Sequence, residues 1–235
     1  MDVLLAQTNL QLYGQMRAAG FAPAEVQTIQ RDYETACLLF APLCRSTGRP
    51  FLCHAVGTAS AAIIEGAGFL DVRAALLHAA YKHGRFPDHG KRRTSRHSAW
   101  MVDRTGAELE QLLTEFSRFR FGLHAVRQYL ATEDPLDDRT LRLVRLKLAN
   151  DVDDSHAFGT ALGHKNRYLD NTWLQLRADM AAKYGFPFFE RAFVQAMADR
   201  EDAAWLDTTT EFERRGHIRS IPGILIGRWN GTGYC

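Results

Sequence analysis

Three stretches of the chain carry polar side chains one helical turn apart, where they could act together. Side chains three or four residues apart lie on the same face of a helix. The first stretch holds His54 and Thr58, the second holds His78, Tyr81 and Lys82, and the third holds Lys147, Asn150 and Asp154. Histidine exchanges protons near neutral pH, and a neighbouring cation lowers the pKa of a lysine. These residue types favour general acid/base chemistry that needs no metal ion.

The elements that must position these side chains are predicted to be helices, because apolar residues recur with a helical period through most of the chain. A first helix should end near Gly20. The next three are predicted from Pro23 through Glu25 to Leu43, from Phe51 to Glu65, and from an N-cap at Asp71 to His83. Residues 84–98 carry glycine, proline and many charges without an apolar period, which predicts a loop.

The second half of the chain continues the helical pattern. Helices are predicted at 106–117, at 123–132, from Pro135 to about 154, at 168–184 and at 187–199. The tail at 221–235 is apolar and punctuated by glycine, so it is either a strand-like arm packed on the body or a contact with another subunit. No set of alternating strands is present. The sequence therefore predicts an all-α fold with a short irregular C-terminal arm, formed by residues 1–235 as one domain.

Composition sets outer bounds on function. A chain of 235 residues with a hydrophobic share of 46% can fill the core of one large domain. Its formal net charge of +2 is too near neutrality to indicate a nucleic-acid or membrane-surface protein. The first residues lack a secretory pattern, and no apolar run approaches the ~18 residues of a membrane span. We therefore expect a cytoplasmic protein that binds neither nucleic acid nor membrane.

Three segments, in order, resemble a known family. They are RSTGRPFLCHAV at 45–56, LLHAAYKHG at 76–84 and LKLANDVDD at 146–154. They resemble the Arg-x-x-Gly-x-Pro-Tyr-x-x-His-Pro, Leu-Leu-His-Asp-x-x-Glu-Asp-Thr and Leu-Lys-Leu-Ala-Asp-Arg-x-His-Asn segments of the hydrolase domain of RelA/SpoT stringent-response proteins, in the HD-domain superfamily. The resemblance covers about residues 25–160 and implies an HD-like helical bundle, with C-terminal helices and tail at 161–235 beyond it.

The resemblance also implies a metal site that this chain has partly lost. In the family one metal ion, usually manganese, is held by a first His, a His-Asp pair and a distant Asp. By position His54 and His78 are the two histidines, whereas Ala79 replaces the Asp of the pair and Asn150 replaces the distant Asp. A divalent cation needs carboxylate charge to offset its dehydration. We therefore expect no metal cofactor, and we expect His54 and His78 to lie close together.

The residues at two neighbouring positions also argue against a metal site. The family's Glu-Asp pair, which assists the attack of water, falls on Lys82 and His83, so positive charge replaces negative. The alternative is a manganese or iron site formed by His54, His78 and Asp151, one residue beyond the aligned position. A shift of one residue turns a helical side chain by ~100°, which argues against this alternative.

Several basic residues could bind an anionic substrate. Arg45 matches the arginine that stacks on the nucleotide base in the family. The alternative is that Arg45 has a purely structural role in a turn. The basic loop, defined as residues 85–96, is either a solvated segment or a mobile lid that attracts anions. The residues predicted to bind substrate are Arg45, Thr58, His83, Arg85 and Lys147.

Three functions follow from these observations. The first is a metal-independent enzyme on a repurposed HD fold, which acts by general acid/base chemistry on a small organic and anionic substrate, in a specialised biosynthetic role. The second is a metal-dependent phosphohydrolase of the HD superfamily. The third is a ligand-binding pseudoenzyme without chemistry. The expected partner is a small molecule, and a homodimer is allowed.

Overall fold

A computed structural model of the protein describes residues 4–45, 49–88, 90, 93–155, 171–202 and 219–220. The described residues form an all-α fold, as predicted. The helices are α1 (Asn9–Ala18), α2 (Pro23–Phe40), α3 (Phe51–Ile64), α4 (Phe69–Leu77), α5 (Ala80–His83), α6 (Ser95–Thr105), α7 (Ala107–Arg118), α8 (Leu123–Ala131), α9 (Asp138–Ser155), α10 (Asn171–Lys183) and α11 (Pro187–Asp202). None of these described helices is both long and apolar enough to cross a lipid bilayer.

Helix α3 lies at the centre of the helices that carry the polar residues. It packs against α1, α2, α4 and α9. Its sequence explains this position, because Ala55, Ala59, Ala61 and Ala62 are small and allow neighbouring helices to approach on several sides. A helix surrounded in this way also buries its polar residues, and His54 is fully buried. In the second half of the chain α10 packs against α8 and α11, and α11 packs against α9.

Two predicted helix boundaries in the first half were wrong. The second helix ends at Phe40, because Leu43–Cys44 forms a short strand, β1, that pairs antiparallel with a second strand, β2 (Arg219–Ser220). The fourth helix begins at Phe69, so Asp71 lies in its first turn and is not the N-cap. There the Asp71 carboxylate pairs with Arg142 of α9 at 3.0 Å.

The predicted fourth helix is also interrupted at His78. Helix α4 ends at Leu77, and α5 starts at Ala80. The His78 ring Nδ1 donates a hydrogen bond of 2.7 Å to the Ala75 carbonyl, which competes with the backbone N–H that a continuous helix would place there. This local bond fixes the direction in which the other side of the His78 ring faces.

Helix α6 was not predicted. Its N-cap is Thr94, whose side chain accepts a hydrogen bond from the backbone N–H of His97, so the predicted loop at 84–98 ends four residues early. Gly106 separates α6 from α7 with a φ of 88°, a left-handed conformation that favours glycine. The predicted tail at 221–235 and residues 168–170 of a predicted helix lie outside the described residues.

Candidate functional site

The centre of the site is a buried histidine held by a carboxylate from another helix. His54 of α3 places its Nδ1 2.7 Å from Oδ2 of Asp153 on α9, and both side chains are fully buried. Arg49 binds the same carboxylate through two hydrogen bonds of 2.8 and 3.1 Å. Arg49 also donates to the side-chain oxygen of Gln7 at 2.7 Å. The charge of Asp153 is therefore balanced by an arginine.

The close approach of α9 to α3 depends on the absence of a side chain at Gly57. A Cβ atom built there would lie 1.7 Å from Oδ1 of Asp153. No real Cβ contact is that short, so the carboxylate fits only because residue 57 is glycine. The glycine sits three residues after His54, one turn along the same helix. It allows the Asp153 carboxylate to reach the imidazole of His54.

The two histidines expected to lie close together do so. Nε2 of His54 is 3.2 Å from Nε2 of His78, with the rings edge to face. The Nδ1 of His54 faces the Asp153 carboxylate, and the Nδ1 of His78 faces the Ala75 carbonyl. A carboxylate paired with arginine and a backbone carbonyl only accept hydrogen bonds, so both Nδ1 atoms carry protons. In the neutral pair both Nε2 atoms are then bare, and their lone pairs face each other.

Burial keeps both imidazoles neutral. It lowers the pKa of His54 to about 3; the charges of Arg45 and Arg49 lower it too, whereas the charge of Asp154 raises it. Burial also lowers the pKa of His78 well below its ordinary value, and the neighbouring His54 and Lys147 act in the same direction. A proton placed between the two Nε2 atoms would convert their contact into a hydrogen bond. The cost of that proton is a buried positive charge.

A second carboxylate lies beside His54. Oδ1 of Asp154 is 3.5 Å from the Nδ1 of His54 and forms an ion pair with Arg45. His54, Asp153 and Asp154 each offer a ligand atom within 4.8 Å of the others, which is the spacing of a potential metal site. Each carboxylate, however, is already neutralised by its own arginine.

The arginines paired with both carboxylates oppose the binding of a divalent cation at these donors. On the Nδ1 side of His54, an ion would have to displace Arg45 and Arg49 from their carboxylates. On the Nε2 side the two imidazoles supply no charge. Ala79 and Asn150, at the positions where the resembled family has carboxylates, supply none either. The Asn150 amide donates to Asp151 at 2.9 Å, and Asp151 is paired with the buried Arg177 at 2.8 Å.

Cationic groups border the Nε2 side of the pair. The Nζ atom of Lys147 lies 3.5 Å from the centre of the Phe116 ring, and that ring contacts His78 edge to face at 5.5 Å between centroids. Lys82 on α5 is exposed. The half-buried His83 has its pKa lowered to about 4 by burial, then by the charges of Lys82 and Arg45. Among the described residues no lysine forms a salt bridge, although the charge of Asp151 acts on Lys147.

Other predicted site residues lie in different surroundings. Thr58 is buried and donates to the backbone oxygen of His54 at 2.9 Å, within the helix. The Tyr81 hydroxyl donates to Glu110 at 2.6 Å, and burial followed by that carboxylate raises the pKa of the tyrosine. Arg85 donates its backbone N–H to Leu39. The structure thus brings His54, His78, Asp154 and Arg45 together, whereas the Tyr81 hydroxyl and Asp151 are engaged elsewhere.

The described part of the basic loop is anchored to the helices. Arg93 lies 3.3 Å from Glu110, which also accepts from Ser98 at 2.6 Å. The ring of Phe86 stacks on that of His97 at 4.0 Å between centroids, and both are buried. These contacts connect the loop to α6 and α7. They do not favour the lid interpretation for the described part of the segment; Lys91 and Arg92 lie outside the described residues.

Sequence reasoning missed two residues of the site, Asp153 and Arg49. Asp153 lies seven residues after Leu146 and four after Ala149, both buried, so the helical period of α9 places it on the inward face. That signal could have distinguished it from the other acids of the DVDD segment. Arg49 occupies an unspecified position of the resembled motif, and its pairing with a residue 104 positions away has no local signal.

Comparison with known proteins adds no family assignment. No family model matches the chain, and no curated protein sequence matches it.

Proposed function

We propose that the chain is a metal-independent enzyme on an HD-like helical fold, which transfers protons to or from a small anionic organic substrate. One observation carries the proposal. Both Nδ1 atoms of the His54–His78 pair are committed to acceptors, so two unprotonated Nε2 atoms converge at 3.2 Å. A proton taken from a substrate by one Nε2 atom would be shared with the other through a hydrogen bond.

The charges around the pair explain why the substrate would be an anion. Burial keeps the pair neutral, because an added proton is a buried charge. A bound anion near Lys147 and Arg45 would offset that charge. Binding of the anion and uptake of a proton would then favour each other. His78 is 6% exposed and His54 is 0% exposed, so His78 is the member that meets the substrate, while Asp153 orients His54.

A metal-dependent phosphohydrolase is the second candidate, and one observation favours it. His54, Asp153 and Asp154 have ligand atoms within 4.8 Å of one another. The pairing of both carboxylates with arginines argues against it, since a cation would have to break two ion pairs. The two candidates differ in one measurable way, which is the effect of a chelator on activity.

Proton transfer can be measured without knowing the product of the reaction. Chelator-treated protein is incubated in D₂O with a panel of small carboxylates that carry exchangeable C–H bonds, and deuterium incorporation is followed by NMR. We expect exchange above the buffer rate for at least one compound. His78→Gln should lower that rate by about 10²–10⁴-fold, the usual contribution of a general base. His124→Gln, at an exposed position on α8, is the matched control.

The alternatives predict different results. Exchange that disappears with chelator and returns with Mn²⁺ would favour the metal-dependent hydrolase. No exchange for any compound with folded wild-type protein would refute the proposal and favour a binding role. Thermal unfolding of His78→Gln is recorded alongside, because lost exchange supports His78 as a base only if the variant remains folded.

A further inference from the structure

Lys147 has surroundings that set it apart from an ordinary surface lysine. It lies on the site-facing side of α9 and is half-buried. Its Nζ lies 3.5 Å from the centre of the Phe116 ring, and the same ring contacts the His78 ring. Asp151, the acid one turn further along α9, is engaged by the buried Arg177. Among the described residues, no carboxylate forms a salt bridge with Lys147.

Two features make a lysine amine nucleophilic, and both are present here. A protonated amine has no lone pair, so the amine must lose its proton near neutral pH. Desolvation against an apolar wall favours this loss, and so does a neighbouring cation. Burial lowers the pKa of Lys147 to about 8; the charge of Lys82 lowers it too, while that of Asp151 raises it. The face of Phe116 shields one side of the amine from water, although its cation–π contact with the protonated form acts in the opposite direction.

We propose that Lys147 is a nucleophile that forms a Schiff base with the aldehyde or ketone group of an anionic substrate. The unprotonated Nζ attacks the carbonyl carbon; the nitrogen then loses one proton and the carbonyl oxygen takes up one, which gives a neutral carbinolamine. Loss of water then forms the C=N bond, so one amine and one carbonyl become one imine and one water. The inference names the substrate class of the same site, and it rests on the proposed function for the fate of the imine.

The arrangement also suits the product of that step. A protonated imine is a cation, and the face of Phe116 stabilises a cation placed over it. The neighbouring His54–His78 pair is the group that can take a proton from the carbon beside the imine. The positive charge of Lys82, which forms no salt bridge among the described residues, would attract the anionic end of the substrate. Each of these roles uses a group already described around His78.

Reductive trapping tests the nucleophile directly. Wild-type protein at pH 7.5 is treated with glyoxylate and cyanoborohydride, which reduces the imine to a stable secondary amine, and each lysine is quantified by peptide mass spectrometry over time. We expect Lys147 to be labelled about 10–10²-fold faster than exposed Lys82 or Lys183, because a larger fraction of its amine is unprotonated. Acetaldehyde, a neutral probe, should label it with less preference.

Variants separate the causes of reactivity. Lys82→Met removes the neighbouring cation and should slow labelling at Lys147, while Lys183 is labelled as before. Phe116→Leu keeps an apolar wall but removes the cation–π contact with the protonated amine, so labelling of Lys147 should not slow. Labelling of Lys147 at the rate of Lys82 and Lys183 in the wild type would overturn the inference.

The result is independent of the test of the proposed function. Labelling needs no turnover, so selective labelling of Lys147 without deuterium exchange would support the nucleophile and refute the acid/base enzyme. Deuterium exchange without selective labelling of Lys147 would support the acid/base enzyme and refute the nucleophile. His54→Gln provides a further check, since it should stop exchange and still allow Lys147 to be labelled.

Discussion

Replacing Gly57 by alanine should separate α3 from α9 at the site. The added Cβ would lie 1.7 Å from Oδ1 of Asp153, whereas real Cβ contacts are at least 3.0 Å. The carboxylate would therefore have to move by about 1.3 Å. A movement of that size breaks the hydrogen bonds of Asp153 to Arg49 and to His54, which are 2.8 and 2.7 Å long. The methyl group itself is tolerated by a helix.

The size of the effect follows from these contacts. Breaking a buried ion pair costs about 3–5 kcal/mol, because a charge is left uncompensated in the interior. Alanine is better than glycine inside a helix by about 0.5–1 kcal/mol, which offsets a small part of the loss. The free energy of unfolding should therefore fall by about 2–4 kcal/mol. Urea denaturation measures this difference.

A matched substitution elsewhere in the chain provides the control. Gly14 lies in α1 and is exposed, and a Cβ added there would meet no atom within 4 Å other than its own helix backbone and chain neighbours. The same change at Gly14 should raise stability by about 0.5–1 kcal/mol. In an Asp153→Ala background, Gly57→Ala should cost much less than in the wild type. Equal costs in both backgrounds would refute the assigned contact, as would an unchanged stability of Gly57→Ala itself.

Two further predictions concern protons and metal. The pKa of His54 is lowered to about 3 in the folded chain. Below pH 6.5 the unfolded chain therefore binds a proton at this residue that the folded chain does not bind. Urea denaturation should show a free energy of unfolding that is about 2 kcal/mol lower at pH 5 than at pH 7 from this residue alone. His54→Asn should remove only the part of the pH dependence that His54 contributes, because His78 and His83 also have lowered pKa values. A flat wild-type profile would contradict the buried neutral imidazoles. Introducing Ala79→Asp together with Asn150→Asp should raise the affinity for Mn²⁺ in calorimetry, because both add carboxylate charge near the histidines. An unchanged affinity would argue against their position at the site.

The sequence predicted helices better than it predicted how they end. Apolar periodicity located α3 and α9 because both have long buried faces. It missed α6, where the start is set by a Thr94 cap and few apolar residues follow. The prediction also extended one helix through His78. Apolar periodicity carries no information on the hydrogen bond between the His78 ring and the Ala75 carbonyl, which lies where the helix is interrupted.

The contacts of the site were likewise predicted only in part. The meeting of His54 and His78 was expected from the resemblance of three segments to the RelA/SpoT hydrolase domain, and it is present. The choice of Asp153 over Asp151 as the partner of His54 was not predicted. Asp151 and Asp153 are two residues apart, so their side chains differ by a rotation of ~200° about the helix axis. Asp153 faces α3 and binds Arg49, whereas Asp151 binds Arg177. Such partner choices lie between elements far apart in the chain.

The bond between Arg49 and Gln7 has a practical consequence for handling the protein. Gln7 precedes α1, and its neighbour Ala6 donates its backbone N–H to Ser60 on α3 at 2.9 Å. The same guanidinium that holds Gln7 also holds Asp153, so the N-terminal segment is connected to His54 through two side chains. An affinity tag or truncation that displaces residues 4–8 would perturb proton chemistry at a site far along the chain. Recombinant protein for the assays above should carry its tag at a removable position and be compared with tag-free material.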